Sequence, residues 1–397
     1  MTQLNLTLNL EEIEAAVLDS NMSNTIKSLV ILTLNEYMEK ERDEYLQAKS
    51  YERNETRTTQ RNGYYERDYM LAIGKIKLKV LRTRDGKFST VLFERYQRTD
   101  KAFILSMLEM VVQGISTRKV TKIVEELVGH SVSASFVSSL TKKLDPIVKE
   151  WANRPLTNRI YSFLHVDAMY IKVREARKVV SKAIYIAVGL TNDGKTEILG
   201  FKVSQTESAT AWKAFFQDLQ ARGLNKPELV ISDAHEGLKK AISECFLGTG
   251  WQRCLFHFTR NIFSKLPKKG TESFRRKVSA IFKEDTLKGA KLKYEALQDE
   301  YSDVEKYEHA MTTLEEGFQE VTQYYQFKVI LHQFIRTTNR VENINLQIRR
   351  REKVIRIFPN DDSANRLIGA VLMDLDETFS GRMSRFNLEN VYQEEEL

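Results

Sequence analysis

Phe163-Leu-His-Val-Asp-Ala-Met-Tyr-Ile-Lys-Val173 is an apolar, alternating run broken by one acid, Asp167. Alternation with period two is the pattern of a strand with one buried face. A carboxylate at the end of a buried strand is costly to desolvate unless a charge sits beside it, so Asp167 reads as a ligand and not as a core residue. A second stretch has the same grammar: Glu228-Leu-Val-Ile-Ser-Asp233 is a short apolar strand ending on an acid, followed by the helix-forming Glu236-Gly-Leu-Lys-Lys-Ala-Ile242. Two strands of one sheet that both end on an aspartate can aim both carboxylates into one crevice at the strands' carboxyl ends.

Outward from this pair, residues 160–257 run strand, strand, strand, helix, strand, helix, strand. Strands are expected at 160–166, 169–174 continuing to 183–188, 196–203, 228–232 and 251–256, and helices at 208–222 and 236–246. Short turns such as Asn192-Asp-Gly194 make the first strands an antiparallel meander, and helical connections make the later ones parallel. A mixed sheet flanked by helices in this order is that of ribonuclease H-like folds. Residues 259–335, rich in Lys, Glu, Tyr and Phe and broken most strongly at 267–270, read as an all-helical insertion. Thr337–Arg351 reads as one more helix, with Asn339, Glu342 and Asn345 on one polar edge.

The amino-terminal half has a different texture. Residues 9–50 carry Ile13, Ala16, Val17, Ile26, Leu29, Val30, Leu34 and Tyr37 at helical spacing, which predicts about two helices whose apolar face packs within the chain or on a second copy of it. Residues 57–98 hold eleven Lys and Arg against four acids, a local excess equal to the whole chain's net charge of +7. There Asn62-Gly63 and Asp85-Gly86 signal turns, Ala72–Leu81 alternates apolar residues with Lys75, Lys77 and Lys79, and Lys87–Phe93 is expected to be the return strand. So concentrated a positive patch points to nucleic acid, with Arg61 and the three lysines as contacts. Residues 100–151 read as three helices, with N-caps at Ser116 and Ser133 and a possible kink at Pro146. The third carries Ser135, Ser138, Ser139, Lys142 and Lys143 on polar positions, like the reading helix of a helix-turn-helix.

The domain plan is therefore 1–56, a helical dimerisation region; 57–98, a small basic β unit; 99–152, a helix-turn-helix-like DNA-binding domain; 153–258 and 336–397, the two parts of an α/β catalytic core; and 259–335, its insertion. With 397 residues and 42% hydrophobic content the chain is globular and multidomain. Cys245 and Cys254 form no disulfide framework, Met1-Thr-Gln-Leu-Asn is no signal pattern, and no run approaches eighteen apolar residues. A soluble cytoplasmic protein without a membrane partner is expected.

For the chemistry, three acids from separate segments are enough to hold two magnesium ions, the other positions going to water and phosphate oxygens. Two such ions about 4 Å apart can assist an in-line phosphodiester displacement. Asp167, Asp233 and Glu342 are the acids chosen, among 54 in the chain; Glu352, the nearest rival to Glu342, would face elsewhere nearly three helical turns on. Cys254 and His257 could be half a zinc site, but no second pair completes one. His257 could instead donate to a phosphate oxygen at the end of its strand. Trp212 reads as core or as a surface on which an unpaired base stacks. Arg349, Arg350 and Arg351, with Lys353 and Arg356, read as phosphate contacts near Glu342 or as a solvated helix face.

The motifs Arg61-Asn-Gly-Tyr-Tyr65, Leu92-Phe-Glu-Arg-Tyr-Gln-Arg98, Gly114-Ile-Ser-Thr-Arg-Lys119, His165-Val-Asp167, Ser232-Asp-Ala-His-Glu-Gly-Leu238, Cys254-Leu-Phe-His257 and Thr337-Thr-Asn-Arg-Val-Glu342 resemble the Mutator-type transposases of bacterial insertion sequences. The resemblance spans nearly the whole chain. It implies a ribonuclease H-like DDE domain with Asp167, Asp233 and Glu342 as ligands of two Mg²⁺ ions, Mn²⁺ being able to substitute, and His257, in the C/D-x-x-H signature, beside the scissile phosphate. It further implies binding of terminal inverted repeats and target DNA, strand cleavage and transfer through a circular intermediate, a homodimer, and action at the bacterial nucleoid. The context of Glu342, Arg-Val-Glu-Asn, departs from the small residues the family leads one to expect. The alternative reading is a domesticated, catalytically inactive transposase that serves as a DNA-binding regulator; the presence of all three carboxylates favours the enzyme.

Overall fold

The computed structural model of the protein describes residues 22–52, 55–71, 74–93, 101–128, 132–381, 387, 388 and 391. Residues 9–21 of the expected first helices, the Gly129-His130 break, residues 94–98 of the basic unit and the acidic tail lie outside them. Two compact units emerge, Met1–Thr141 and Lys142–Leu397.

In the first unit, helix α1 (Met22–Leu46) precedes an antiparallel hairpin of β1 (Arg61–Leu71) and β2 (Gly74–Thr83). Strict alternation in β2 buries Ile76, Leu78 and Val80 and exposes Lys75, Lys77 and Lys79, as expected. The buried row meets Met38 of α1, with Val30, Ile31 and Leu34 packed beside it. Much of the described apolar face of α1 thus packs within the chain, while Ile26 stays exposed. Two turn expectations also change. Lys87–Phe93 forms no strand, because β2 pairs with β1 instead; Asn62-Gly63 lies inside β1, where the register shifts between Arg61 and Tyr64 and Gly63 takes a φ of +64°. Asp85-Gly86 is a turn, closed by Gly86 N–H on Thr83 O.

Helices α2 (Lys101–Val112), α3 (Thr117–Val128) and α4 (Ala134–Thr141) follow. Ser116 Oγ accepts from Lys119 N and Ser133 Oγ from Phe136 N, so both expected N-caps are present. The expected third helix is two helices, since the chain breaks at Lys142-Lys143 and α5 (Leu144–Ala152) belongs to the second unit. Pro146 sits in the first turn of α5, where a missing N–H costs nothing, and so causes no kink. Arg366 forks onto Asp145 at 2.6 and 2.8 Å and Trp151 stacks on Phe201, tying α5 to its unit.

The second unit is built on β3 (Tyr161–Glu175), β4 (Lys178–Thr191), β5 (Thr196–Ser204), β6 (Leu229–Ser232) and β7 (Gly250–Arg253). Their order is β5-β4-β3-β6-β7, antiparallel among the first three and parallel from β3 through β7. α6 (Ala209–Ala221) and α7 (Glu236–Cys245) connect the parallel strands and cover one face, where Leu164, Val166 and Tyr185 meet Trp212, Phe215 and Phe216. The other face, with Phe163, Leu190 and Ile231, meets Tyr324, Leu331 and Phe334.

From β7 the chain becomes helical: α8 (Leu255–Ser264), α9 (Glu272–Ile281), α10 (Leu287–Tyr301), α11 (Glu308–Val321) and α12 (Val329–Ile335), with short 3-10 turns at Glu305–Tyr307 and Gln323–Gln326. These helices have a core of their own around Phe258, Ile262, Phe274, Leu314 and Phe318. Gly317 of α11 lets that helix approach Phe258, since a Cβ there would lie 2.2 Å from the ring. α13 (Asn339–Ile355) and α14 (Asp361–Ser380) return to the sheet. α13 is pinned at both ends. Leu255 N–H donates to Arg336 O just before it, and beyond it Phe358 pairs with β3, giving its N–H to Lys172 O and accepting from Arg174 N at 2.8 Å each.

Candidate active site

Sheet register brings the two aspartates level. Phe163, Leu164 and His165 pair in parallel with Leu229, Val230 and Ile231, and two residues further along each strand come Asp167 and Asp233. Asp233 follows the end of the short strand β6, as expected. Asp167 does not end its strand but lies in the middle of β3, which runs on past β6 because β4 continues beside it and Phe358 takes up its other edge.

His257 joins the other two acids. The strand expected over 251–256 stops at Arg253; Cys254 caps α8, and Leu255, Phe258 and Ile262 recur at helical spacing toward the helical core. This puts His257 in the first turn of a helix instead of at a strand end. Its Nδ1 contacts Asp233 Oδ1, and its Nε2 lies 3.3 Å from Glu342 Oε1 on α13. The hydrogen bond to Asp233, then the one to Glu342, hold its pKa up to about 11, so it stands as an imidazolium between two carboxylates. That same histidine keeps Glu342 below the usual carboxylate range, with Arg260 contributing from further off. Burial, and then the charge of Asp233, push Asp167 up to about 7.

Two of the acids, Asp167 and Glu342, are also held from behind. Asp167 Oδ1 accepts from Ala168 N at 2.9 Å and its Oδ2 from Asn345 Nδ2 at 2.7 Å. Asn345, one turn beyond Glu342, is buried, and its own Oδ1 has no hydrogen-bond partner among the described residues. Its place on the polar edge of α13 was legible, but its pairing with Asp167 was not. The Thr338 hydroxyl lies 3.0 Å from Glu342 Oε1 and 3.1 Å from Cys254 Sγ, and Thr338 N–H points at the same sulfur. Asp233, Cys254 and His257 place ligand atoms within 4.8 Å of one another. Burial raises the Cys254 thiol, and both Thr338 groups are aimed at its sulfur, which braces α8 against the start of α13. His165 is fully buried and held down to about 3 by burial and by Arg340. Neutral, it gives Nε2–H to Phe334 O at 2.9 Å and fastens α12 to β3.

The donor set fits divalent cations. Buried Asp167 on β3 feels the charges of Asp233 at the end of β6 and, less, of Glu342 on α13, and His257 contacts the latter two. Glu352 lies ten residues beyond Glu342 on α13, about 15 Å along the helix, outside this cluster.

Of the expected DNA contacts, two are corrected. Trp212 is 0% exposed, stacked at 4.0 Å on Tyr185 with its Nε1 toward Glu207, and cannot meet a base. Arg61 spends its guanidinium on Asp43 and the carbonyls of Lys49 and Ala48, which fastens β1 to the end of α1. Lys75 pairs with Asp68 at 2.7 Å, Lys77 with Glu66 at 3.5 Å, and Lys79 lies over the Tyr64 ring. All three remain exposed, as do Ser135, Ser139, Lys142, Lys143, Arg349 and Arg350. Arg351 is tied back to Gln347 of its own helix.

A mixed sheet with acids on neighbouring strands, a third on a returning helix, and a histidine bridging two of them defines a carboxylate-centred α/β protein suited to phosphate chemistry. The chain belongs to the Mutator family of transposases: the profile described as "Transposase, Mutator family" matches residues 1–381. The "Transposase for insertion sequence element IS256 in transposon Tn4001" of Staphylococcus aureus is 52% identical over 375 residues, 94% of this chain and 96% of its own. The "Transposase for insertion sequence element ISRM5" of Rhizobium meliloti is 38% identical, covering 96% of each chain. A chain of the solved simian T-cell lymphotropic virus intasome in complex with PP2A regulatory subunit B56 gamma aligns with 54% of this chain and 73% of its own at 12% identity, but a TM-score of 0.18 is too low to establish a common fold. Family membership makes this an insertion-sequence transposase, an enzyme of DNA cleavage and transfer. Among the described residues no helix is long and apolar enough to cross a membrane.

Proposed function

We propose that this transposase is a DDE enzyme with a ribonuclease H-like core, interrupted by the helices of 259–335, which cleaves and joins DNA at Asp167, Asp233 and Glu342. The observation that carries this reading is the bridge of His257 to Asp233 and Glu342, acids 109 positions apart in sequence, beside Asp167. The three carboxylates would hold two divalent ions, Mg²⁺ or Mn²⁺. When bound, the ions activate the attacking hydroxyl and stabilise the leaving oxygen of an in-line displacement. Asp167 is kept in one rotamer by Ala168 N–H and Asn345, and Glu342 by Thr338, so both are set before substrate arrives. His257 supplies an N–H donor to a phosphate oxygen. The enzyme acts on the terminal inverted repeats of its own element, transfers the freed 3′-hydroxyl to target DNA, and passes through a circular intermediate; joining two ends brings two copies together. The test is cleavage of an element-end duplex, expected with Mg²⁺ or Mn²⁺ and absent in chelator. Tight binding with no cleavage under any divalent ion would favour the inactive regulator.

Asn345→Leu keeps the volume and removes the donor. A hydrogen bond to a charged group contributes about 1.5–3 kcal/mol, so the affinity of the site for Mn²⁺, followed by electron paramagnetic resonance, should fall roughly tenfold or more. An unchanged Mn²⁺ isotherm would show that Asp167 needs no support from α13.

Recognition of the terminal repeats belongs, on this reading, to residues 57–150. Surface ion pairs are worth ~0–1 kcal/mol, so the acids beside Lys75 and Lys77 leave both lysines available to phosphates. Reversing Lys75, Lys77 and Lys79 to glutamate should lower the slope of log K against log salt by about 0.9 per lost contact. Replacing Ser135 or Ser139 should relax sequence preference at nearly constant slope. Equal slopes for wild type and the triple reversal would remove the hairpin from the DNA interface.

A further inference from the structure

Asp233, His257, Arg260, Asn261 and Ser264 line an open depression of about 400 Å³. His257, Arg260, Asn261 and Ser264 fall at i, i+3, i+4 and i+7, which is one face of α8, while Leu255, Phe258 and Ile262 on the opposite face are buried in the helical core. Leu255–Gly270 contains, besides His257, four Lys and Arg residues, Arg260, Lys265, Lys268 and Lys269, and no acid. All four are exposed, and among the described residues none is in an ion pair, Arg260 acting on Glu342 only from further off. The contrast with nearby cations is sharp: Lys239 and Arg253 share Glu320, Lys277 pairs with Glu300 and Lys293 with Glu284.

We propose that the exposed face of α8 and the loop after it are a binding track for the backbone phosphates of the DNA strand flanking the scissile bond, with Arg260 as its first anchor. The proposal rests on the reading of Asp167, Asp233 and Glu342 as the cleavage site. Arg260 stands one helical turn, about 5.4 Å, beyond His257, and Ser264 the next turn on, so successive polar groups lead away from the acids. The depression is open to solvent, as a strand of DNA lying across it would require. A guanidinium that acts on Glu342 only from a distance and forms no ion pair among the described residues, beside an acidic site, counters the repulsion those acids exert on a phosphodiester. Lys265, Lys268 and Lys269 continue the positive charge past the end of the helix.

The test is binding of an element-end duplex, with Ca²⁺ in place of Mg²⁺ to prevent cleavage, across a series in which single phosphates near the scissile position are neutralised as methylphosphonates. Arg260→Ala should weaken binding about tenfold, by loss of a charge-assisted contact, and lower the salt slope by about 0.7–0.9. Arg260→Lys should retain most of both. One methylphosphonate within a few nucleotides of the cut should weaken wild type but leave Arg260→Ala unchanged, and Lys268→Ala with Lys269→Ala should show the same relation to a more distant phosphate. Unchanged slopes, or losses that add at every phosphate, would overturn the track. Asp167→Asn, assayed for cleavage in Mg²⁺, separates the two ideas: its survival as a nuclease would sink the catalytic reading, while the Arg260 slopes judge the track alone.

Discussion

Asp167→Asn, Asp233→Asn and Glu342→Gln are each expected to reduce strand cleavage by at least about a thousandfold, the several kcal/mol by which a bound ion stabilises charge in the transition state. Binding to the terminal repeats should remain nearly unchanged, because recognition is assigned to residues outside this cluster. Asp167→Asn carries its own folding control. Asp167 is buried and raised above the usual carboxylate range by burial and by Asp233, so its charge opposes folding once pH exceeds the unfolded value near 4. The neutral amide removes that cost, its oxygen accepting from Ala168 N and its NH2 donating to the Oδ1 of a flipped Asn345, so the melting temperature in chelator should rise or hold. His257→Ala should differ in kind: cleavage slows, but the cation site persists and binds Mn²⁺ no more weakly, since the imidazolium that competes for Asp233 and Glu342 is gone. Full cleavage by Glu342→Gln together with its loss in Glu352→Gln would move the third acid along α13.

Trp212→Ala is expected to destabilise the second unit by about 3–5 kcal/mol, the usual range for removing a buried large aromatic. The indole is fully buried, stacks on Tyr185 at 4.0 Å and on Phe216 at 5.6 Å, and lies in the core that clamps α6 to the sheet. That amount is a large fraction of a typical domain's stability, ~5–15 kcal/mol. Chemical denaturation followed by circular dichroism should show the loss, and Trp212→Phe, which preserves the ring contact, should lose less. The folded fraction of either variant should bind DNA with wild-type affinity per folded molecule. A stable Trp212→Ala protein with weakened binding to single-stranded DNA would restore the stacking role that burial denies.

Much of this architecture could be read directly from residue order. Alternation over Phe163–Val173, the apolar run Leu229–Ser232 ending at Asp233, and the turn at Asn192–Gly194 are local patterns, and each sets local backbone geometry whatever the surroundings. They yielded the order of strands and helices, the mixed sheet, the caps at Ser116 and Ser133 and the four residues that meet in space. What they could not yield was whatever depends on the partner across a contact. β3 runs through Asp167 because β4 and Phe358 lie beside it. The chain turns helical after Arg253 because Leu255, Phe258 and Ile262 find a core built from residues as far along the chain as Val321. Arg61 and Trp212 looked available for DNA because side-chain type says nothing about which side of a strand or helix will be covered; Asp43 claims one and Tyr185 the other. Residue identity alone set which acids, cations and aromatics the protein has to use, but only packing decided which are neutralised, which are buried, and which, like Asp167, are buried beside a like charge, because desolvation and Coulomb energies depend on distance in space and not on separation along the chain.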